Sequence, residues 1–293
     1  AQNYIGGIKT RFEAKEIISI LDSLKDLKVL VIGDCILDEY AFCDLMERAK
    51  KEPVLVFKHA NTELYTGGSL AIANHIANFA GEVSLITSMS NNKETLSFVK
   101  NNINNKIILK TFPDSNNITL TKKRYVYRYR YTKVFEVYSH GGYNLDETTE
   151  KDIINYINNN VNRFDVIVIA DFGHGLITEN IKNSILKIEK FLAVNAQTNS
   201  GNLGYNYITK YKNFDFTTLT EEELRLPLQD LKTNNEELVR KLSDITNCKK
   251  ICLTIGKKGI LYYENKNEIY QSPALVTKVV DTVGAGDAVF SII

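Results

Sequence analysis

Continuous apolar runs punctuate this chain and make its first structural prediction. LKVLVIGD (27–34) is apolar through its middle and closes on Gly33 and Asp34, and VSLIT (83–87), FDVIVIAD (164–171), FLAVN (191–195) and KKICLTIG (249–256) repeat the form. Strands buried on both faces of a parallel sheet read this way. Apolar residues at helical spacing mark 146–160, 179–190 and 234–246 between the runs. Phe12, Ile17, Ile18, Leu21 and Leu24 place a further helix ahead of the first strand, so residues 1–26 read as an N-terminal helix and linker. Strand and helix in alternation predict an α/β fold with a mostly parallel central sheet, right-handed crossovers and helices on both faces.

Two segments break that rhythm. Residues 39–65 and 117–138 are rich in Tyr, Val, Thr and Phe, and YVYRYRYTKVFEVY (125–138) alternates aromatic with basic residues. A period of two predicts half-exposed antiparallel strands, a small sheet projecting from the main layer. Such a sheet would cover a substrate or pair with its copy in a homodimer. An aromatic and basic stripe also suits stacked bases, but Lys+Arg 36 against Asp+Glu 35 leaves a net charge of +1 and withholds the electrostatic share of nucleic-acid affinity. Nucleic acid is therefore not expected as a partner.

Hydrophobic residues at 44% with 24% charged suit a globular chain with a sizeable core. No apolar run approaches a membrane span, and AQNYIGGIKT lacks a charged-then-apolar signal, so a cytoplasmic location and no membrane partner are expected. Cys35, Cys43, Cys248 and Cys252 form no C-x-x-C pair, which argues for reduced buried thiols rather than a zinc cluster. The chain begins without Met and stops six residues after Asp287, and both ends read as cuts.

The densest chemistry lies in VVDTVGAGDAVF (279–290). A glycine-rich turn opening a helix aims several N–H groups at one spot and favours an anion there. A carboxylate beside that cup would repel a resting phosphate, so Asp287 needs a task. Taking the proton from a hydroxyl that attacks phosphorus is one, with the amides of Gly284, Ala285, Gly286 and Asp287 holding the charge on the transferring group. The plainer reading is a helix start with an acid in its first turn. G-x-G also enters the dinucleotide fingerprint, but no third glycine follows, and no G-x-x-x-x-G-K-[ST] loop occurs anywhere.

VVDTVGAGDA, together with TGGSLAIANHIA (66–77) and GDCILDEY (33–40), resembles the ribokinase-like carbohydrate kinases of the PfkB family, in the same order along the chain from about residue 27. The resemblance implies a three-layer ribokinase-like sandwich with a small antiparallel β lid, in one kinase domain over 1–293 that is truncated at its C-terminal end. It implies ATP and Mg2+ as cofactors and a sugar or sugar phosphate as substrate. Asp287 would be the base and Gly284, Ala285 and Gly286 the anion hole. Asp38 would bind substrate hydroxyls, with Asp34 either beside it or merely ending the strand. Gly67 and Gly68 would let the sugar approach the backbone, and Asn74 would reach toward it; a core helix behind a capping glycine pair is the alternative. LTIGKKG (253–259) resembles the nucleotide loop, where Thr254 and Gly256 would line the phosphates and Gly259 would turn beneath the adenine. As plain sequence it is a strand and a hairpin.

Departures from the family pattern matter as well. The usual Asn-x-x-Glu that positions water around magnesium reads here as Thr218 followed by Glu221 in TTLTEEELRL, and Glu221 equally suits the first turn of a helix capped by Thr220. Within the family the likeness is to the heptose-phosphate kinase branch, through GDCILDEY, the lid insertions and ADFGHGL (170–176). That branch implies a nucleotidyltransferase domain on the same polypeptide and a role in making nucleotide-activated sugars. His174 stands where the branch tends to have Lys, and NAQTNSGNLGYN (195–206) replaces its aspartate-proline-lysine segment, which suggests a different substrate. Arg124, Arg128 and Arg130 on the lid would hold an anionic sugar phosphate or form solvated strand edges. The rival function is a non-catalytic sugar- or nucleotide-binding domain that supports a linked nucleotidyltransferase.

Overall fold

The computed structural model describes residues 2–113, 118–139, 145–265, 268–276 and 283–292, with side chains from Tyr4 onward. Residues 279–282 of the glycine-rich stretch and residue 117 of the second lid segment lie outside the described residues.

In chain order the elements are α1 (Gln2–Arg11), α2 (Ala14–Ser23), β1 (Lys28–Gly33), β2 (Cys35–Arg48), β3 (Leu55–Gly68), α3 (Ser69–Ile76), β4 (Glu82–Met89), α4 (Lys93–Asn102) and β5 (Ile107–Pro113). Then come β6 (Leu120–Tyr127), β7 (Thr132–Ser139), α5 (Glu147–Asn160), β8 (Val166–Asp171), α6 (Glu179–Ile185), β9 (Phe191–Ala196), β10 (Phe216–Thr220), α7 (Glu221–Leu228) and α8 (Asn235–Thr246). β11 (Lys250–Thr254), β12 (Ile260–Glu264), β13 (Glu268–Ser272) and α9 (Ala285–Ile292) complete the series.

Among the described residues the main sheet has nine strands in the order β13-β12-β11-β10-β9-β8-β1-β4-β5. Pairing is parallel from β11 to β5, and the β11–β12–β13 edge is antiparallel. β1 and β8 are neighbouring interior strands, and their apolar runs are buried nearly end to end because helices cover both faces. One face packs Leu30, Ile32, Ile167 and Ile169 against α5, α6 and α8 through Ile153, Ile157, Ile181, Ile185 and Leu238. The other packs Val29, Val31, Val83 and Leu85 against α3 and α9 through Leu70, Ile72, Ala73 and Phe290. The helix starts are fixed by side chains, with Asp146 accepting from Thr148 and Thr149 N–H and Asn234 from Glu237 N–H.

The lid is a second sheet, β3-β2-β6-β7. It consists of two antiparallel hairpins, β2–β3 and β6–β7, laid side by side through a parallel β2–β6 pairing. β6 alternates buried and half-buried residues along its whole length, so Leu120, Lys122, Arg124 and Val126 share the inward face. Register carries Asp38 beside Lys122, Tyr40 beside Arg124, and Tyr138 and Glu136 beside the same two residues on the other flank.

The chain lays β4 and β5 on one side of β1 before returning to place β8, β9, β10 and β11 on the other. A crevice forms outside the carboxyl ends of strands where the order reverses. Asp34 after β1, the loop after β8 and the start of α7 after β10 all converge there. α9 packs on α3 and β10, which brings its first turn to the same end.

Candidate active site

The α9 start has the features of an anion cup. Its first intrahelical backbone bond runs from Ala288 N–H to the Gly284 carbonyl at 3.0 Å, so the N–H groups of Ala285, Gly286 and Asp287 precede the ladder. Gly284 adopts φ +77°, a conformation glycine tolerates without cost, and a Cβ at Gly284 or Gly286 would meet nothing within 4 Å. The side-chain directions of both glycines are therefore open.

Asp287 stands in the first turn of that helix with Oδ1 shut off from solvent and lacking a hydrogen-bond partner. Burial pushes its carboxyl up to about 7, Asp38 and Glu223 push in the same direction, and Lys122 opposes them. A carboxylate in this position is poised to accept a proton.

Asp38 accepts from Arg124 Nη1, and Arg124 Nε donates to Glu136 at 2.9 Å. Burial works against the Arg124 charge, but the two carboxylates outweigh it and hold the guanidinium protonated. Gly67 is required beside this pair, since a Cβ there would lie 2.1 Å from Asp38 Oδ2. Gly68, at φ +57°, turns the chain into α3. Arg128 is engaged by Asp44 through Nε at 3.1 Å and Nη2 at 2.7 Å. Two of the three lid arginines expected to meet an anionic sugar thus already face carboxylates.

Other expected site residues have different tasks. The Asp34 carboxylate accepts backbone N–H groups from Phe172 (2.9 Å), His174 (3.2 Å) and Leu176 (3.2 Å), and so shapes the loop after β8. Asn74 uses its amide on Thr66 Oγ1 (3.4 Å), the Asn102 carbonyl (3.2 Å) and the Asn104 N–H (2.7 Å), bracing α3 against the turn before β5. Thr254 Oγ1 donates to the Leu219 carbonyl at 3.2 Å, tying the ends of β10 and β11 together. Gly256, at φ +52°, has open space where a Cβ would project, whereas a Cβ on Gly259, at φ +100°, would lie 2.0 Å from the Ser272 carbonyl. His174 packs its ring against Gly201, whose Cβ position lies 2.9 Å from His174 Cε1 and 3.3 Å from Tyr138 of the lid.

Glu221 stands in the first turn of α7, the helix that Thr220 caps. The partner of Thr220 in a reciprocal capping box is Glu223, not Glu221. Glu221 accepts from Asn235 Nδ2 at 2.7 Å and faces α8. Glu223 is the acid whose charge reaches Asp287, and burial raises its own protonation against the Thr220 bonds. Thr218 lies within β10, opposite Cys252, with its hydroxyl buried and unpartnered. Read two residues later, as Thr220-x-x-Glu223, the pattern falls on the strand-to-helix junction. The T-x-x-E capping spacing was the available signal.

Two further residues escaped the sequence reading. Lys122 is buried on the inward lid face with Nζ 5.1 Å from the Tyr138 ring centroid, two residues before Arg124 and on the same side. Asp171 ends β8 under the crevice, holding Lys210 Nζ at 2.6 Å and Tyr211 Oη, with Asn206 Nδ2 at 3.1 Å.

Among the described residues no group of three or more His, Cys, Asp or Glu is gathered to hold a metal. Glu223, at the start of α7, is a single carboxylate of the kind that meets a nucleotide-borne magnesium through water.

Residues 26–291 match the sequence profile described as pfkB family carbohydrate kinase. The chain is 24% identical over 280 residues to the bifunctional protein HldE of Syntrophotalea carbinolica, covering 94% of this chain and 56% of that protein. It is 21% identical over 272 residues to the protein of the same name from Campylobacter jejuni, covering 91% and 55%. The chain thus spans about half the length of these relatives. Among solved structures, phosphofructokinase-2 from Escherichia coli in complex with substrates and products superposes with a TM-score of 0.71 at 14% identity, over 90% of this chain and 84% of that one. Ribokinase from Thermotoga maritima superposes with a TM-score of 0.65 at 18% identity, over 89% and 82%. These likenesses establish a ribokinase-like fold.

Proposed function

The chain belongs to the pfkB family of carbohydrate kinases, and from that premise we propose that it transfers the γ-phosphoryl group of ATP to a hydroxyl of a sugar phosphate, with a heptose phosphate as the first candidate. The observation that carries the reading is the Asp287 carboxylate, sealed and unpartnered at Oδ1 in the first turn of a helix whose leading glycines, Gly284 and Gly286, have open space in their side-chain directions.

Asp287 takes the proton from the acceptor hydroxyl as its oxygen attacks phosphorus. The amides of Gly284, Ala285, Gly286 and Asp287 receive the charge on the transferring group. Asp38, held by Arg124, orients the acceptor hydroxyls, and Gly67 leaves room for them. The loop at 254–259, with open space at Gly256, cradles the nucleotide phosphates. Magnesium would be held through water by Glu223, where it neutralises charge on the nucleotide phosphates.

Substrate chemistry and partners follow from the same reading. The likeness to bifunctional relatives almost twice as long supports a linked nucleotidyltransferase and a place in nucleotide-activated sugar synthesis. Leu64, Phe135 and Val137 are exposed on the lid and support a homodimer through that sheet.

The test is ADP formation from Mg-ATP against a panel of sugar phosphates that includes heptose phosphates, with the new phosphate ester identified by phosphorus NMR. ATP binding without ADP release above the sugar-free rate for every acceptor would reject the kinase reading and favour a binding domain.

A further inference from the structure

The anionic phosphoryl group has to arrive beside Asp287, a carboxylate whose electrostatic surroundings already include the carboxylates of Asp38 and Glu223. The amide cup offsets that charge from one side only. On the lid side, Arg124 is already committed to Asp38 and Glu136 through its Nη1 and Nε.

Lys122 is differently placed. It lies on the inward face of β6, registered against Asp38 and Tyr138, and its residue is only 6% exposed. Among the described residues it makes no ion pair within 4.0 Å, and the Tyr138 ring is the group its Nζ covers. A buried ammonium without a bound carboxylate costs free energy unless an anion meets it.

Resting on the kinase reading above, we propose that Lys122 is a catalytic residue, the lid's cation for the migrating phosphoryl group, which it contacts from the side opposite the α9 amides. As the acceptor oxygen forms its bond to the γ-phosphorus, the hydroxyl proton passes to Asp287. The bond from that phosphorus to the bridging oxygen breaks, and its electron pair leaves with ADP. Lys122 stays protonated throughout and offsets charge on the equatorial oxygens. Because it rides on the lid, its contact is made only when the lid covers the site, which ties catalysis to closure.

The electrostatics agree with the placement. Burial first, with Arg124 adding to it, holds the Lys122 ammonium below its ordinary range, and Asp38, Asp34 and Glu136 offset part of that shift. The charged groups acting on Asp287 are Asp38 from β2, Lys122 from β6 and Glu223 from α7. β10, which packs against α9, carries no titratable residue, and α3 carries only His75 near its far end.

The experiment compares Lys122→Met and Lys122→Arg with the parent chain, measuring equilibrium affinity for Mg-ADP and for the Mg complex of the β,γ-imido analogue of ATP, each with the acceptor sugar phosphate present. The ratio of the two affinities isolates the γ-phosphoryl group. Lys122→Met should weaken the imido analogue roughly 10- to 100-fold and leave ADP within about twofold, while Lys122→Arg keeps most of the parent ratio. In turnover, Lys122→Met should lower kcat about 10²–10³-fold with the acceptor KM little changed. An unchanged ratio in Lys122→Met overturns the proposal, as does equal weakening of both nucleotides or a loss confined to acceptor KM. If the parent turns over no acceptor but the ratio falls as stated, the kinase reading fails and the assignment of Lys122 to the γ-phosphoryl stands.

Discussion

A Cβ on residue 67 would lie 2.1 Å from Asp38 Oδ2, so Gly67 and Asp38 fit together only while the former has no side chain. Both belong to paired strands, with Gly67 registered against Ile36 and Asp38 against Tyr65, and the backbone has little freedom to retreat. In Gly67→Ala the carboxylate has to swing away from Arg124. The expected outcome is an acceptor KM raised at least about tenfold, in line with the cost of small misplacements at a reacting centre, with the ATP KM within about twofold. Steady-state kinetics with each substrate varied separately checks the split.

The capping box separates the roles of two neighbouring acids. Glu223→Gln keeps the box, because Gln serves at N3 as well as Glu, yet removes the charge that reaches Asp287. It should lower kcat by at least about tenfold, raise the magnesium concentration needed for half-maximal rate, and shift the rising limb of the pH–rate profile to lower pH. Glu221→Gln, altered only where Asn235 bonds it, should stay within about twofold of the parent in all three. Magnesium titrations of both variants decide the matter.

How much of this site the sequence disclosed depends on which forces placed each residue. β1 and β8 were legible because burial on both faces leaves no polar position to blur the apolar run. β10 was harder: Thr217 and Thr218 interrupt its hydrophobic character although both are buried. Its C-terminal end therefore went unfixed, and with it the choice among Glu221, Glu222 and Glu223, which look alike until the N-cap is known. Lys122 was obscured for another reason. Its neighbour Asp38 is distant in sequence, and the parallel β2–β6 register that joins them depends on two hairpins docking side by side, which no local period encodes. Asp34 reads from sequence as either a substrate contact beside Asp38 or the end of a strand, because its backbone donors at 172–176 lie far along the chain and no local pattern announces them.

Asp34→Asn tests that structural role. The carboxylate serves three backbone donors, and an amide would turn its NH2 toward at least one of them. A loss of about 1–3 kcal/mol is expected, or a fall in Tm of about 2–4 °C for each kcal/mol. Burial, with Asp171 adding to it, pushes the Asp34 carboxyl from 3.8 up to about 6 against the pull of the three N–H bonds. The folded state therefore binds a proton that the unfolded chain has released, and stability from this group is present below about pH 4 and declines as pH rises toward about 6. In Asp34→Asn that slope should flatten. Denaturant unfolding across pH 4 to 7, followed by circular dichroism, reads both effects.

The base assignment makes the sharpest demand on pH. Asp287 acts only when ionised, and its carboxyl is pushed up to about 7, first by burial and then by Asp38 and Glu223, with Lys122 pulling the other way. For the free enzyme, kcat/KM should therefore be low in mildly acid solution, rise through a limb centred near 7, and level off above it. An ordinary exposed carboxylate would place that limb about three pH units lower. Asp287→Asn keeps the helix start and the amide cup but cannot take the proton, so kcat should fall about 10²–10⁴-fold while ATP affinity stays within about threefold. A limb near pH 4, or a variant that retains full turnover, would show that the acceptor proton leaves by another route. Rapid-quench measurement of the phosphoryl-transfer step from pH 5 to 9 keeps product release from masking the answer.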